Sequence, residues 1–95
     1  LPARLIDGTA IGEAMRGELE REIRDLKRRG VTPGLAAVLV GENPASHTYV
    51  RMKGKACDAA GLYHETLRLA AETTEAELLA LIERLNADHK IHGIL

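Results

Sequence analysis

A chain of 95 residues has room for one small domain and not for two. With 45% apolar and 28% charged residues, interleaved to a net charge of -1, it has the make-up of an ordinary globular domain, without a basic block for nucleic acid or an acidic tail. No apolar run approaches a membrane span, nothing at the N-terminus resembles a signal peptide, and the lone Cys57 cannot close an internal disulfide, which points to a reducing cytoplasm.

Phe and Trp are absent, so the core must come from Leu, Ile, Val and Ala. Aliphatic cores of this kind suit α/β layers in which strands are covered on both faces. In chain order, the first helix is expected to start near Thr9 as N-cap. Ile11, Met15, Leu19, Ile23 and Leu26 then form one apolar stripe at helical spacing. Glu20 with Arg24 and Asp25 with Arg29 are pairs four apart on the solvated side. Lys27, Arg28 and Arg29 crowd the last turn, where the helix dipole favours cations, and Gly30 can close it. Gly12 and Gly17 inside the helix each cost about 1 kcal/mol relative to Ala, which points to close packing or a later start.

"LAAVLV", Leu35 to Val40, is an unbroken apolar run between Pro33-Gly34 and Gly41, and reads as a buried parallel strand. Asn43 can cap a second helix, Pro44 suits its first position, and Gly61 ends it. A weaker strand follows over Tyr63 to Leu69. Thr74 to Glu77 is a capping box, and the third helix it opens turns Leu78, Ile82 and Leu85 inward. "IHGIL" then begins another strand. The alternation predicts an α/β fold of three layers, α/β/α, with a mainly parallel sheet and right-handed crossovers. A strand that stops at Leu95 with no cap or closing helix suggests a fragment of a longer protein.

In an open α/β sheet, ligands bind outside the carboxyl ends of the strands. The first turns of the second helix lie there, which brings Ser46, Tyr49 and Lys53 to the rim. At about 100° per residue, Val50, Gly54, Cys57 and Gly61 share the arc toward the sheet, whereas His47, Thr48, Arg51, Lys55 and Asp58 face solvent. Tyr49 and Lys53 fall at the border, beside Ala56 and Ala60. One reading makes them a boundary tyrosine and a lysine whose stem lies on the surface while its amine reaches water. The other makes the ring a stacking platform and the amine an acid–base group, since desolvation disfavours the charged form of an amine and an amine that is neutral near pH 7 can exchange protons. Cys57 on the buried arc reads as packing. His47 and His64 read as surface residues. His89 and His92 span a helix end and a strand start, too little for a metal site. No G-x-G-x-x-G or P-loop is present, so a dinucleotide would need residues outside this chain.

Val40-Gly41, Pro44, Ser46, Tyr49, Val50 and Lys53, followed by Lys55, Gly61, Leu85-Asn86, Asp88 and Gly93-Ile94-Leu95, closely resemble the N-terminal domain of the bifunctional methylenetetrahydrofolate dehydrogenase/methenyltetrahydrofolate cyclohydrolase family. The opening "LIDGTAIGEAMRGEL" fits as well, so the likeness covers nearly the whole chain. It implies that residues 1–95 are a truncated folate-binding catalytic domain and that an NADP-binding Rossmann domain is absent. It implies Lys53 as the catalytic residue, Tyr49 as the stacking platform, a folate pocket lined by Tyr49, Val50, Arg51, Met52 and Lys53, and Ser46 as pocket support. The implied reaction oxidises methylenetetrahydrofolate to the methenyl form with NADP and hydrolyses that to formyltetrahydrofolate, in a cytoplasmic homodimer with no metal, nucleic-acid or membrane partner. In the family a Gln- and Pro-containing loop, an Asp and the cofactor domain follow later, so this chain alone is expected to be inactive. Two other readings remain open: a non-catalytic α/β binding module, and the substrate domain of another two-domain dehydrogenase.

Overall fold

The computed structural model describes residues 2–95. Helix α1 spans Gly8–Arg28, and its N-cap is Asp7 rather than Thr9. Asp7 sits in extended backbone, and its carboxylate accepts the Ala10 N–H at 3.1 Å. A carboxylate there also complements the positive end of the helix dipole, which a threonine cannot do. At the other end Gly30 takes a positive φ of 86° and Asp25 pairs with Arg29.

Strand β1 (Gly34–Val40) leads through Gly41, at φ 88°, into helix α2 (Pro44–Ala60). Asn43 Oδ1 accepts the N–H groups of Ala45 and Ser46 at 2.9 and 3.3 Å, and Pro44 fills a position whose N–H would be an orphan anyway. Gly61, left-handed at φ 83°, ends α2 and lets the Leu62 N–H return to the Cys57 carbonyl at 2.9 Å. The last turn of α2 carries no cation of its own, but Lys27 of α1 brings its Nζ beside Gly61. Strand β2 (Tyr63–Leu69) follows, then α3 (Glu75–Asn86), where the Glu77 N–H donates to Thr74 Oγ1 at 3.2 Å, and β3 (Gly93–Ile94).

The sheet is parallel, in the order β2-β1-β3, with Gly34 to Val40 beside Tyr63 to Leu69, and Leu35 and Ala36 beside Gly93 and Ile94. The order reverses at β1, so right-handed crossovers put α2 on one face and α3 on the other. The three-layer expectation holds for these elements. The core gathers on β1, where Ala36 and Leu39 are buried, with Val50 and Cys57 from α2, Leu85 from α3 and Ile23 from α1.

The stripe on α1 behaves differently from its pattern. Only Ile23 is buried, while Ile11, Met15 and Leu19 are about half exposed. The helix lies against α2 instead of the sheet, and its first turns run past the body. Gly12 and Gly17 have open space where a Cβ would stand, so neither close packing nor a later start explains them. The radius of gyration is 16.6 Å, against about 12 Å for a compact chain of this length. His47 and His64 also differ from expectation: both are half-buried. His64 lies on the strand face under α2, where the missing side chain of Gly54 admits its ring, and its Nε2 meets Asp58 Oδ1 at 2.9 Å.

Candidate functional site

A strand order that reverses leaves a crevice at the carboxyl edge, because the connections on either side of it run apart. Here it opens between the ends of β1 and β3 and the first turns of α2. It is a shallow groove of about 370 Å³, walled by Val38 and Leu39 of β1, Leu95 beyond β3, and Ser46, Tyr49 and Val50 of α2. Its lining is mainly apolar, which suits a flat ring system, with the Ser46 side chain and the Tyr49 hydroxyl as polar handles.

Tyr49 is 58% exposed, its ring at the mouth of the groove rather than inside the core. Lys53, one turn on, is half-buried, and its Nζ lies 4.9 Å from the centre of the Tyr49 ring, a cation–π contact. The expected juxtaposition of phenol and amine is present. The remaining residues of the stretch separate by helix geometry. Val50 is buried and floors the groove. Arg51, two positions past Tyr49, is turned well away from it; Met52, only about 60° round the helix from Tyr49, faces the depression between α1 and α2, and neither lines the groove. Lys53 borders that same depression and meets the groove only through its contact with the Tyr49 ring. Of the stretch Tyr49 to Lys53, Tyr49 and Val50 line this groove, Lys53 stands at its margin, and Arg51 and Met52 lie outside it.

Sequence pattern did not disclose the opposite wall. Val38 and Leu95 join the groove only because β3 pairs beside β1, with the Leu95 N–H donating to Ala36 O at 2.8 Å and the Val38 N–H to Leu95 O at 2.9 Å. Next to the groove, His47 Nε2 is enclosed without a hydrogen-bond partner, although Glu42 Oε2 lies 3.3 Å away. Cys57 is a buried packing residue: burial pushes its thiol up from the ordinary 9.0, Asp58 adds to the shift, and Lys53 opposes it. His92 holds a backbone N–H, and no cluster with metal-binding potential occurs among the described residues. No helix among them is long and apolar enough to cross a membrane.

The family model for tetrahydrofolate dehydrogenase/cyclohydrolase, catalytic domain, matches residues 6–95. The bifunctional protein FolD of Geotalea daltonii is 57% identical over 93 residues, covering 98% of this chain and 33% of the relative. Among solved structures, the bifunctional FolD methylenetetrahydrofolate dehydrogenase/cyclohydrolase of Campylobacter jejuni superposes with a TM-score of 0.90 at 45% identity, over 94% of this chain and 32% of that one. The Trypanosoma brucei methylenetetrahydrofolate dehydrogenase-cyclohydrolase, complexed with NADP cofactor and inhibitor, gives 0.89 at 38% identity, over 100% and 33%. The chain thus spans about one third of the length of the relatives it matches. By sequence and by fold, it belongs to the tetrahydrofolate dehydrogenase/cyclohydrolase family, within the catalytic domain.

Proposed function

We propose that this chain forms one wall of the folate site of a bifunctional enzyme that oxidises methylenetetrahydrofolate and hydrolyses the methenyl product to formyltetrahydrofolate. The observation that carries the reading is the Lys53 amine 4.9 Å from the Tyr49 ring, at the mouth of a groove at the sheet's switch point. The ring offers a face for a pteridine, and the groove fixes one orientation of it. In the hydrolytic step, water adds to the methenyl carbon and the amine of Lys53, once neutral, takes its proton. The ammonium then returns a proton to the departing ring nitrogen as the C–N bond opens. Ser46, half-buried in the groove wall, supports the pocket.

NADP is the hydride acceptor in this reading, but the residues of this chain do not fit it. Gly41 is the positive-φ glycine at the carboxyl edge, it packs beside Ala71, and no glycine-rich turn continues from it. The cofactor is assigned to a further domain of the full-length protein. That protein is read as a cytoplasmic homodimer, a location supported by the buried, unpaired thiol of Cys57.

The test is Lys53→Met in the full-length protein, with methenyl formation and decay followed by absorbance. Cyclohydrolase turnover should fall about 100- to 10,000-fold, the ordinary worth of general acid–base help, while the melting curve stays in place. Near-native hydration by the variant would refute the role given to Lys53.

A further inference from the structure

Strand β3 is two residues long, yet it carries the Leu95 wall of the groove. So short a strand needs something beyond its own ladder to fix where it lies, since a slip of one residue would turn its side chains to the other face. The holding contact is at the opposite end of β1 from the groove, on Gly34. The His92 N–H donates to Gly34 O at 2.8 Å, and the Gly34 N–H donates to His92 Nδ1 at 3.0 Å. An imidazole nitrogen thus takes the place that a strand carbonyl would have in the ladder. Because Nδ1 accepts, it carries no proton, and the proton of the neutral ring is on Nε2.

The contact depends on Gly34 having no side chain. A Cβ there would stand 1.8 Å from the Lys90 carbonyl oxygen, so the α3–β3 loop lies directly on the Gly34 backbone. Gly34 is buried, and an N–H left unpaired in such a place is expensive. The loop therefore has a seat on Gly34 and a two-bond clasp from His92, and the ladder bonds of Leu95 to Ala36 and Val38 follow in the same register.

We propose that His92 is a positioning residue for the candidate site. Its Nδ1, by accepting the Gly34 N–H, sets the register of β3 and so places the Leu95 wall opposite Tyr49. The kinetic part rests on the proposed folate function; the structural part does not.

Two substitutions separate the acceptor from the bulk of the ring. In His92→Asn the amide oxygen stands where Nδ1 stood and can accept the same N–H. In His92→Gln the amide reaches toward the Nε2 position and leaves Gly34 unpaired. Amide exchange in the full-length protein reads the clasp directly. Exchange at Gly34 should be roughly 5- to 150-fold faster in His92→Gln, the range opened by losing one buried hydrogen bond, with faster exchange at Val38 and Leu95, and His92→Asn should restore all three. In the same protein His92→Gln should raise KM for the folate several-fold with kcat within about twofold, and His92→Asn should restore KM. Unchanged exchange at Val38 and Leu95 in His92→Gln would overturn the proposal, as would lost protection with KM unmoved. A wild-type protein that did not turn over the folate would remove the functional reading instead, and the exchange results would still decide whether His92 sets the register.

Discussion

At Gly34 and Gly61 the absence of a side chain is needed for different reasons, and the two positions make unequal predictions. At Gly34 a methyl group would meet backbone, the Lys90 carbonyl, which cannot turn aside. Gly34→Ala should destabilise by about 2–4 kcal/mol in urea melts, because the α3–β3 loop must lift away. At Gly61 a methyl group would meet the flexible tip of Lys27 at 3.0 Å, and the φ of 83° is the larger obstacle. Gly61→Ala should cost about 1–2 kcal/mol, the usual penalty of left-handed backbone. Cys57 adds a pH dependence whose sign is fixed. Its folded-state value lies above the ordinary 9.0, so the folded chain keeps the proton where the unfolded chain has lost it. The stability this contributes is complete below pH 9.0 and declines as pH rises beyond it toward the folded-state value. Melts of wild type and Cys57→Ala across that range should show the steeper alkaline loss in the wild type.

Among the elements, α2 is the one whose local chemistry is most complete. Asn43 caps it, Pro44 starts it, Gly61 closes it and Lys27 meets its carboxyl end from outside. Asn43→Ala should cost about 1 kcal/mol, read as a lower melting temperature, and should loosen the turn that carries Ser46. The capping and spacing signals of α2 are local, so its bounds and the pairing of Tyr49 with Lys53 are legible in the order of residues alone. The meeting of Val38 with Leu95 is not, because it depends on strand order, which no window of sequence contains. The same limit applies to α1. Periodicity tells which side of a helix is apolar, not what will cover it, and the stripe from Ile11 to Leu19 remains half open. The burial of His64 is hidden for a related reason: the space that receives its ring is the missing side chain of Gly54, on another element.

Over the whole molecule, burial is uneven. Leu85 is 2% exposed, whereas Leu19 is 51% exposed, although both are leucines on the apolar side of a helix. Leu85→Ala should cost about 2–5 kcal/mol, and Leu19→Ala well under half of that, in the same denaturant series. Hydrogen exchange should find the first turns of α1 opening well before β1, since they lack the contacts that tie the central strand to both neighbours. The sheet itself ends at β2, and the backbone groups of that seven-residue strand that point away from β1 meet no further strand among the described residues. Such an edge is a template for stacking with copies of itself, as in cross-β fibres. In parallel, in-register stacking of this strand, Glu65 would fall on Glu65 and Arg68 on Arg68 in every layer. Like charges repeated at fibril spacing repel along the whole stack, so the two ionised side chains act as gatekeepers against amyloid growth from this margin.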